Sequence, residues 1–128
     1  MAYYYAKEID LNFEDAIIRV TEELKKEGFG VLTEIDVKAT LKKKLNADFR
    51  NYRILGTCNP PLAYQALQAE SHIGLMLPCN VVLQETENGK TLVSAIDPVA
   101  SMQAVENESL GQVAEQVKTK LQKVIASI

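Results

Sequence analysis

Apolar residues recur at helical spacing in four stretches of this chain and alternate or cluster in five others. Phe13, Ala16, Ile17, Val20 and Leu24 share one stripe, while Glu14, Arg19, Glu22, Glu23, Lys25 and Lys26 occupy other faces. Asn12 caps this helix, Asp15 suits its positive end, and Gly28 stops it. A short helix follows Asp36, with Val37, Leu41 and Leu45 on one side and Lys38, Lys42, Lys43 and Lys44 on the other. Asn59 precedes a third helix that opens on Pro60 and Pro61 and runs to about Ala69. Its side chain is expected to accept from the Leu62 amide. The last helix runs from about Asn107 to Ile125, with Leu110, Val113, Val117, Leu121 and Val124 in line.

Between these lie expected strands at Tyr3 to Ile9, Phe29 to Ile35, Tyr52 to Cys58, Leu75 to Glu85 and Lys90 to Ile96, the last ended by Asp97-Pro98. A turn through Ser71, His72 and Gly74 leads into the fourth of these. The order β-α-β-α-β-α-β-β-α predicts an α+β fold, one domain spanning residues 1–128, with helices on one face of a sheet.

Asn88-Gly89 reads as a two-residue hairpin loop, and such a loop sets the register of its strands. Glu87 then faces Lys90, Val81 faces Ile96, Leu83 faces Ser94, and Glu85 faces Leu92. The face with Leu77, Cys79, Val81, Leu83, Leu92 and Ile96 should lie under the helices. Asn80, Val82, Gln84, Thr86, Thr91, Val93, Ala95 and Asp97 should share the other face, with Asn80 directly across from Asp97. That mixed face suits a pocket or a second subunit.

Composition narrows the function. The net charge of -3 argues against nucleic-acid or anionic-membrane binding. A content of 47% hydrophobic and 24% charged residues is ordinary for a globular protein that needs neither metal nor disulfide to hold its core. No apolar run has the length of a membrane-spanning helix, and Met1 to Glu8 lacks the features of a signal peptide. A cytoplasmic protein with reduced thiols is the expectation.

Cys58 and Cys79 are the only thiols, each directly before an asparagine in a Cys-Asn pair beside proline. Cys79 reads as apolar filling. Cys58, at a strand end before a helix, reads either as an ordinary thiol or as an activated one. Pro60 and Pro61 leave few N–H donors to support a thiolate there. His72, the only histidine, could form a dyad with Cys58 only if the fold joins them. The cysteines and histidine lack chelating spacing, and no phosphate-binding glycine motif is present, so no metal or cofactor is expected. Lys38, Lys42, Lys43, Lys44, Arg50 and Arg53 form one basic run. It is either a solvated face or a guide for a small anionic ligand. The resulting expectation is a noncatalytic ligand-binding or interaction domain with a site at Cys58, Asn59, Asn80 and Asp97. The alternative is a thiol-dependent enzyme or redox protein using Cys58.

Five runs carry a resemblance. They are Gly28-Phe29-Gly30-Val31, Glu34-Ile35-Asp36-Val37, Ile54-Leu55-Gly56-Thr57-Cys58-Asn59-Pro60-Pro61-Leu62-Ala63, Gly74-Leu75-Met76-Leu77-Pro78-Cys79-Asn80-Val81-Val82 and Ile96-Asp97-Pro98. Together they resemble the bacterial domain-of-unknown-function family 302 over nearly the whole chain. Thr57 stands where a smaller residue is more usual, and Ser101 where a methionine is. The resemblance implies a TATA-box-binding-protein-like fold, with a curved antiparallel-rich sheet backed by helices, and a homodimer. It does not imply DNA binding, because fold alone does not carry function.

Overall fold

The computed structural model describes residues 2–128. The elements are β1 (Tyr4–Ile9), α1 (Phe13–Lys26), β2 (Gly30–Asp36), α2 (Val37–Leu45), β3 (Tyr52–Cys58), α3 (Pro60–Ala69), β4 (Cys79–Glu85), β5 (Thr91–Ile96), α4 (Pro98–Ser101) and α5 (Glu108–Ser127). All strands join one antiparallel sheet in the order β1-β5-β4-β3-β2. The strands β2 to β5 form a meander, and β1 is added beside β5.

The helical stripes read from the sequence are the ones buried. Phe13, Ala16, Val20 and Leu24 of α1 and Leu110, Val113, Val117, Leu121 and Val124 of α5 meet Leu55, Val81, Leu83, Val93 and Ala95 of the sheet in one core. Asn12, Asp36 and Asn107 cap α1, α2 and α5 by accepting from Asp15, Ala39 and Leu110 amides. Gly28 ends α1 at φ 84°, a conformation that favours glycine. The α+β class and the placement of the main helices on one sheet face are therefore as expected. Helix α2 stands apart, with no buried residue.

Three expectations need correction. The fourth strand starts at Cys79, not Leu75. Ser71–Met76 forms a 3-10 segment, and Pro78, joined by a cis peptide to Leu77, has no N–H to give a ladder. A one-turn helix, α4, begins at Pro98 with Asp97 as its cap.

The third correction concerns the hairpin. Thr86, not Glu87, faces Lys90: the Thr86 amide donates to the Lys90 carbonyl at 2.9 Å, and Gly89 donates back to Thr86 at 3.0 Å. The loop thus holds Glu87, Asn88 and Gly89, and of these only Gly89 takes positive φ, at 76°. This is the three-residue loop with a left-handed final glycine. One extra loop residue moves the register by one, so Val81 pairs with Ala95, Leu83 with Val93 and Glu85 with Thr91. A shift of one turns every side chain of β5 over. Val93, Ala95 and Thr91 are fully buried under the helices. Leu92, Ser94 and Ile96 are half-buried on the other side, with Val82 and Gln84.

Of the basic run, Lys38, Lys43 and Lys44 lie exposed on α2, while the two arginines and Lys42 have partners. Arg53 is turned towards the Phe13 ring and pairs with Glu14, Glu34 and Asp36. Arg50 lies over the Phe49 and Tyr52 rings and donates to Gln84 at 2.9 Å. Lys42 pairs with Asp48.

Candidate functional site

Where β3 ends and β4 begins, the sheet and helices α3 and α5 enclose a cavity of about 320 Å³. Its floor is Thr57, Cys58 and Cys79. Leu62, Ala63, Ala66 and Leu67 of α3 form one wall, and Leu110, Val113, Ala114 and Val117 of α5 form another. Phe29, Leu32, Thr33, Leu77, Pro78, Pro98 and Met102 complete it, with Asn59 at the start of α3. Alanines at 63, 66 and 114 sit where larger side chains would fill the space between α3 and α5. No Lys, Arg, His, Asp or Glu lines the cavity. Leu32 and Leu67 are exposed and form an apolar rim.

The floor is fixed by local bonding. Thr57 is buried, and its hydroxyl donates to the Cys79 carbonyl at 2.7 Å, tying β3 to β4. Gly56 beside it has no room for a side chain, because a Cβ would meet the Thr33 hydroxyl and come within 2.8 Å of the Pro78 ring. Asn59 is only 8% exposed. It does not cap α3: its Nδ2 donates to the Glu27 carbonyl at 3.2 Å, so the Leu62 amide receives no side-chain bond. Gly28 permits this, since Asn59 Nδ2 lies 3.0 Å from where a Cβ would stand at Gly28.

The four residues expected to converge do not all do so. Cys58 and Asn59 line the cavity. Asn80 is exposed on the opposite side of the sheet, in a shallow depression with Tyr3, Tyr4, Tyr52 and Ile96. Asp97 is buried on the helix side but serves the scaffold. Its Oδ1 accepts from the Val99 amide at 2.9 Å and the Ala100 amide at 3.4 Å, and its Oδ2 accepts from the Tyr5 hydroxyl at 3.0 Å. Lys118 Nζ lies 3.7 Å from the same Oδ2. The Tyr5 hydroxyl, then Asp97, holds the Lys118 ammonium above the usual lysine range. The separation of Asn80 from Asp97 follows directly from the one-residue loop correction.

The thiols differ. Cys79 is buried, and desolvation, with a lesser contribution from neighbouring Cys58, pushes its pKa from 9.0 to about 11. Cys58 is half-buried. His72 lies in the 3-10 segment outside the cavity lining, so the structure does not join it to Cys58 there. The Cys79 shift has a consequence for stability. Above pH 9.0 the unfolded thiol loses its proton while the native one keeps it, so stability falls as pH rises towards 11. Two units correspond to about 3 kcal/mol. Urea denaturation from pH 8 to 11 should show this fall in the parent chain and a shallower one in Cys79→Ala. Identical slopes would contradict it.

Sequence reasoning missed Thr33, Leu62, Ala66 and Ala114 as site residues. The available signal was the small alanines within otherwise bulky helical stripes.

A meander of four antiparallel strands extended by the N-terminal strand, backed by helices on one face and holding an apolar cavity at the β3–β4 end, defines a small α+β domain. The profile described as "Domain of unknown function DUF302" matches residues 5–128, and the chain belongs to that family. The crystal structure of an uncharacterized conserved protein DUF302 from Bacillus stearothermophilus is similar, with 29% identity, 98% of each chain covered and a TM-score of 0.90. No curated protein matches this chain.

Proposed function

We propose that this chain is a noncatalytic binding domain for a small, uncharged, largely apolar molecule, and that it works as a homodimer. The cavity supports this reading most directly. Small-molecule sites begin at about 300 Å³ and are mostly apolar. An apolar cavity of about 150 Å³ takes benzene, so one of about 320 Å³ suits on the order of a dozen carbon atoms. The lining offers no cation, which turns the reading away from the anionic ligand suggested by the lysine run. Thiol chemistry at Cys58 has no supporting observation, because no base or cation shares the cavity with it.

The open sheet face supports the dimer. Tyr4, Leu92, Ile96, Val82 and Ile54 are half-buried or exposed there, and no helix of the α1, α3 and α5 layer covers them. Five strands about 4.8 Å apart and roughly 20 Å long give a footprint of about 500 Å² per copy. Two copies then reach the roughly 1,000 Å² expected of a biological interface. Sedimentation at tens of micromolar should show a dimer, and a monomer would refute this part.

Ligand binding is tested by thermal shift with benzene, naphthalene and biphenyl. A ligand that binds only the native state raises its midpoint. The shift should grow with size up to biphenyl and be smaller for biphenyl-4-carboxylate. No shift from any of these would refute the reading.

A further inference from the structure

The geometry points to one orientation for the second copy: the two-fold axis runs along the strands, and Arg50 of each copy pairs with Glu8 of the other. This rests on the homodimer proposed above and adds the charged pair that orients it. Residues directly opposite each other on neighbouring antiparallel strands point to the same face. Glu8 is opposite Leu92, Leu92 opposite Gln84, and Gln84 opposite Tyr52. These four form one row across the open face, from β1 to β3. Among the described residues, Glu8 is the one charged side chain that the strands put on that face. Lys7, Glu34, Asp36, Arg53 and Glu85 are in register with the buried Val93, Leu55, Leu83 and Thr91 of the helix side.

Arg50 stands at the other end of the row. Its guanidinium lies 4.5 Å from the Phe49 ring centroid and 5.5 Å from that of Tyr52. Its Nε and Nη2 donate to Gln84 Oε1 at 3.1 and 2.9 Å. The cation is thus held over the sheet, and it is exposed, as Glu8 is. Neither has an ionic partner among the described residues.

A two-fold axis along the strands, midway between β4 and β5, sets β1 of one copy over β3 of the other. With strands about 4.8 Å apart, Glu8 and Tyr52 stand roughly 14 Å from each other, and the rotation exchanges their places. Glu8 then comes over Arg50 of the other copy, and the reverse contact forms with it, as an isologous interface requires. The neighbouring row agrees with this axis. Ala6 comes over Ile54 and Ser94 over Val82, a small side chain against a larger one each time. An axis across the strands would instead set β1 on β1 and cover both charges without partners, which is costly.

The test reverses each charge in the full chain and follows the dimer by sedimentation. Glu8→Arg and Arg50→Glu should each raise the dimer Kd by on the order of tenfold or more, because like charges then meet at both contacts. Mixed in equal amounts, the two variants should dimerise about as tightly as the parent, since both contacts of the mixed dimer again join opposite charges. Should either reversal fail to fold, Glu8→Gln and Arg50→Gln replace them, and the double variant should be no weaker than the weaker single. Reversed variants that dimerise as the parent does, or a mixture no tighter than either alone, would overturn the pairing while the parent dimer stands. Additive losses in the glutamine pair would do the same. A monomeric parent would remove the proposed dimer and this inference with it.

Discussion

Replacing Asp97 with alanine is expected to lower stability by about 3 kcal/mol, or roughly 10 °C in midpoint for a chain of this size. The carboxylate closes three separate gaps. It caps α4 through the Val99 and Ala100 amides, and loss of a cap costs about 1 kcal/mol. It accepts the Tyr5 hydroxyl, which joins β1 to the end of β5 across 92 residues of sequence. Hydrogen bonds to charged groups contribute about 1.5–3 kcal/mol. It also faces Lys118 of α5. These losses overlap, so their sum is an upper bound. Asp97→Asn should cost less, because asparagine caps a helix as well as aspartate does. Urea denaturation at neutral pH measures both. An alanine variant within about 0.5 kcal/mol of the parent would show that the cluster is ornamental.

The second large effect concerns the cavity. Ala66→Leu should weaken biphenyl binding at least tenfold while leaving stability unchanged or raised by about 1 kcal/mol. Ala66 is buried on α3 and lines the cavity, so added carbons project into space that the ligand needs. Filling a void adds contacts in the empty protein even as it excludes the guest. The opposed directions separate this outcome from general damage, which lowers both. Calorimetry and denaturation on the same preparation decide it. Unchanged affinity would place the ligand elsewhere.

Much of the architecture was legible because local chemistry and burial agreed. Asn12 and Asp36 each announce a helix start by a short polar side chain before an apolar stripe, and each caps as read; Asn107, read only as the approximate start of the last helix, caps it too. Gly28 announces a stop and takes positive φ. The misreadings arose where two local rules compete. Asn88-Gly89 fits a two-residue loop, yet the chain spends Glu87 on the turn as well, and only Gly89 needs the left-handed region. On β5 the apolar pattern could not arbitrate. Leu92 and Ile96 are larger than Val93 and Ala95, yet the smaller pair is buried, because the three-residue loop sets the register. Asn59 was misread for a different reason. Its position demands a cap, but a carbonyl distant in sequence, that of Glu27, competes for the same side chain. Such competition is settled by tertiary contact, which no local window contains. The cavity was invisible for the same reason, since its walls come from α3 and α5, far apart along the chain.

The pairing of Tyr4 with Ile96 sets an order on events during synthesis. β1 is made before the other strands yet is the last of the sheet to find its neighbour, because Thr91–Ile96 must be made and seated before it can dock. The meander from β2 to β5 closes through contacts between consecutive strands, whereas β1 must bridge the 92 residues from Tyr4 to Ile96, a topology that slows folding. The tyrosine-rich β1 therefore has no sheet neighbour until β5 has been made.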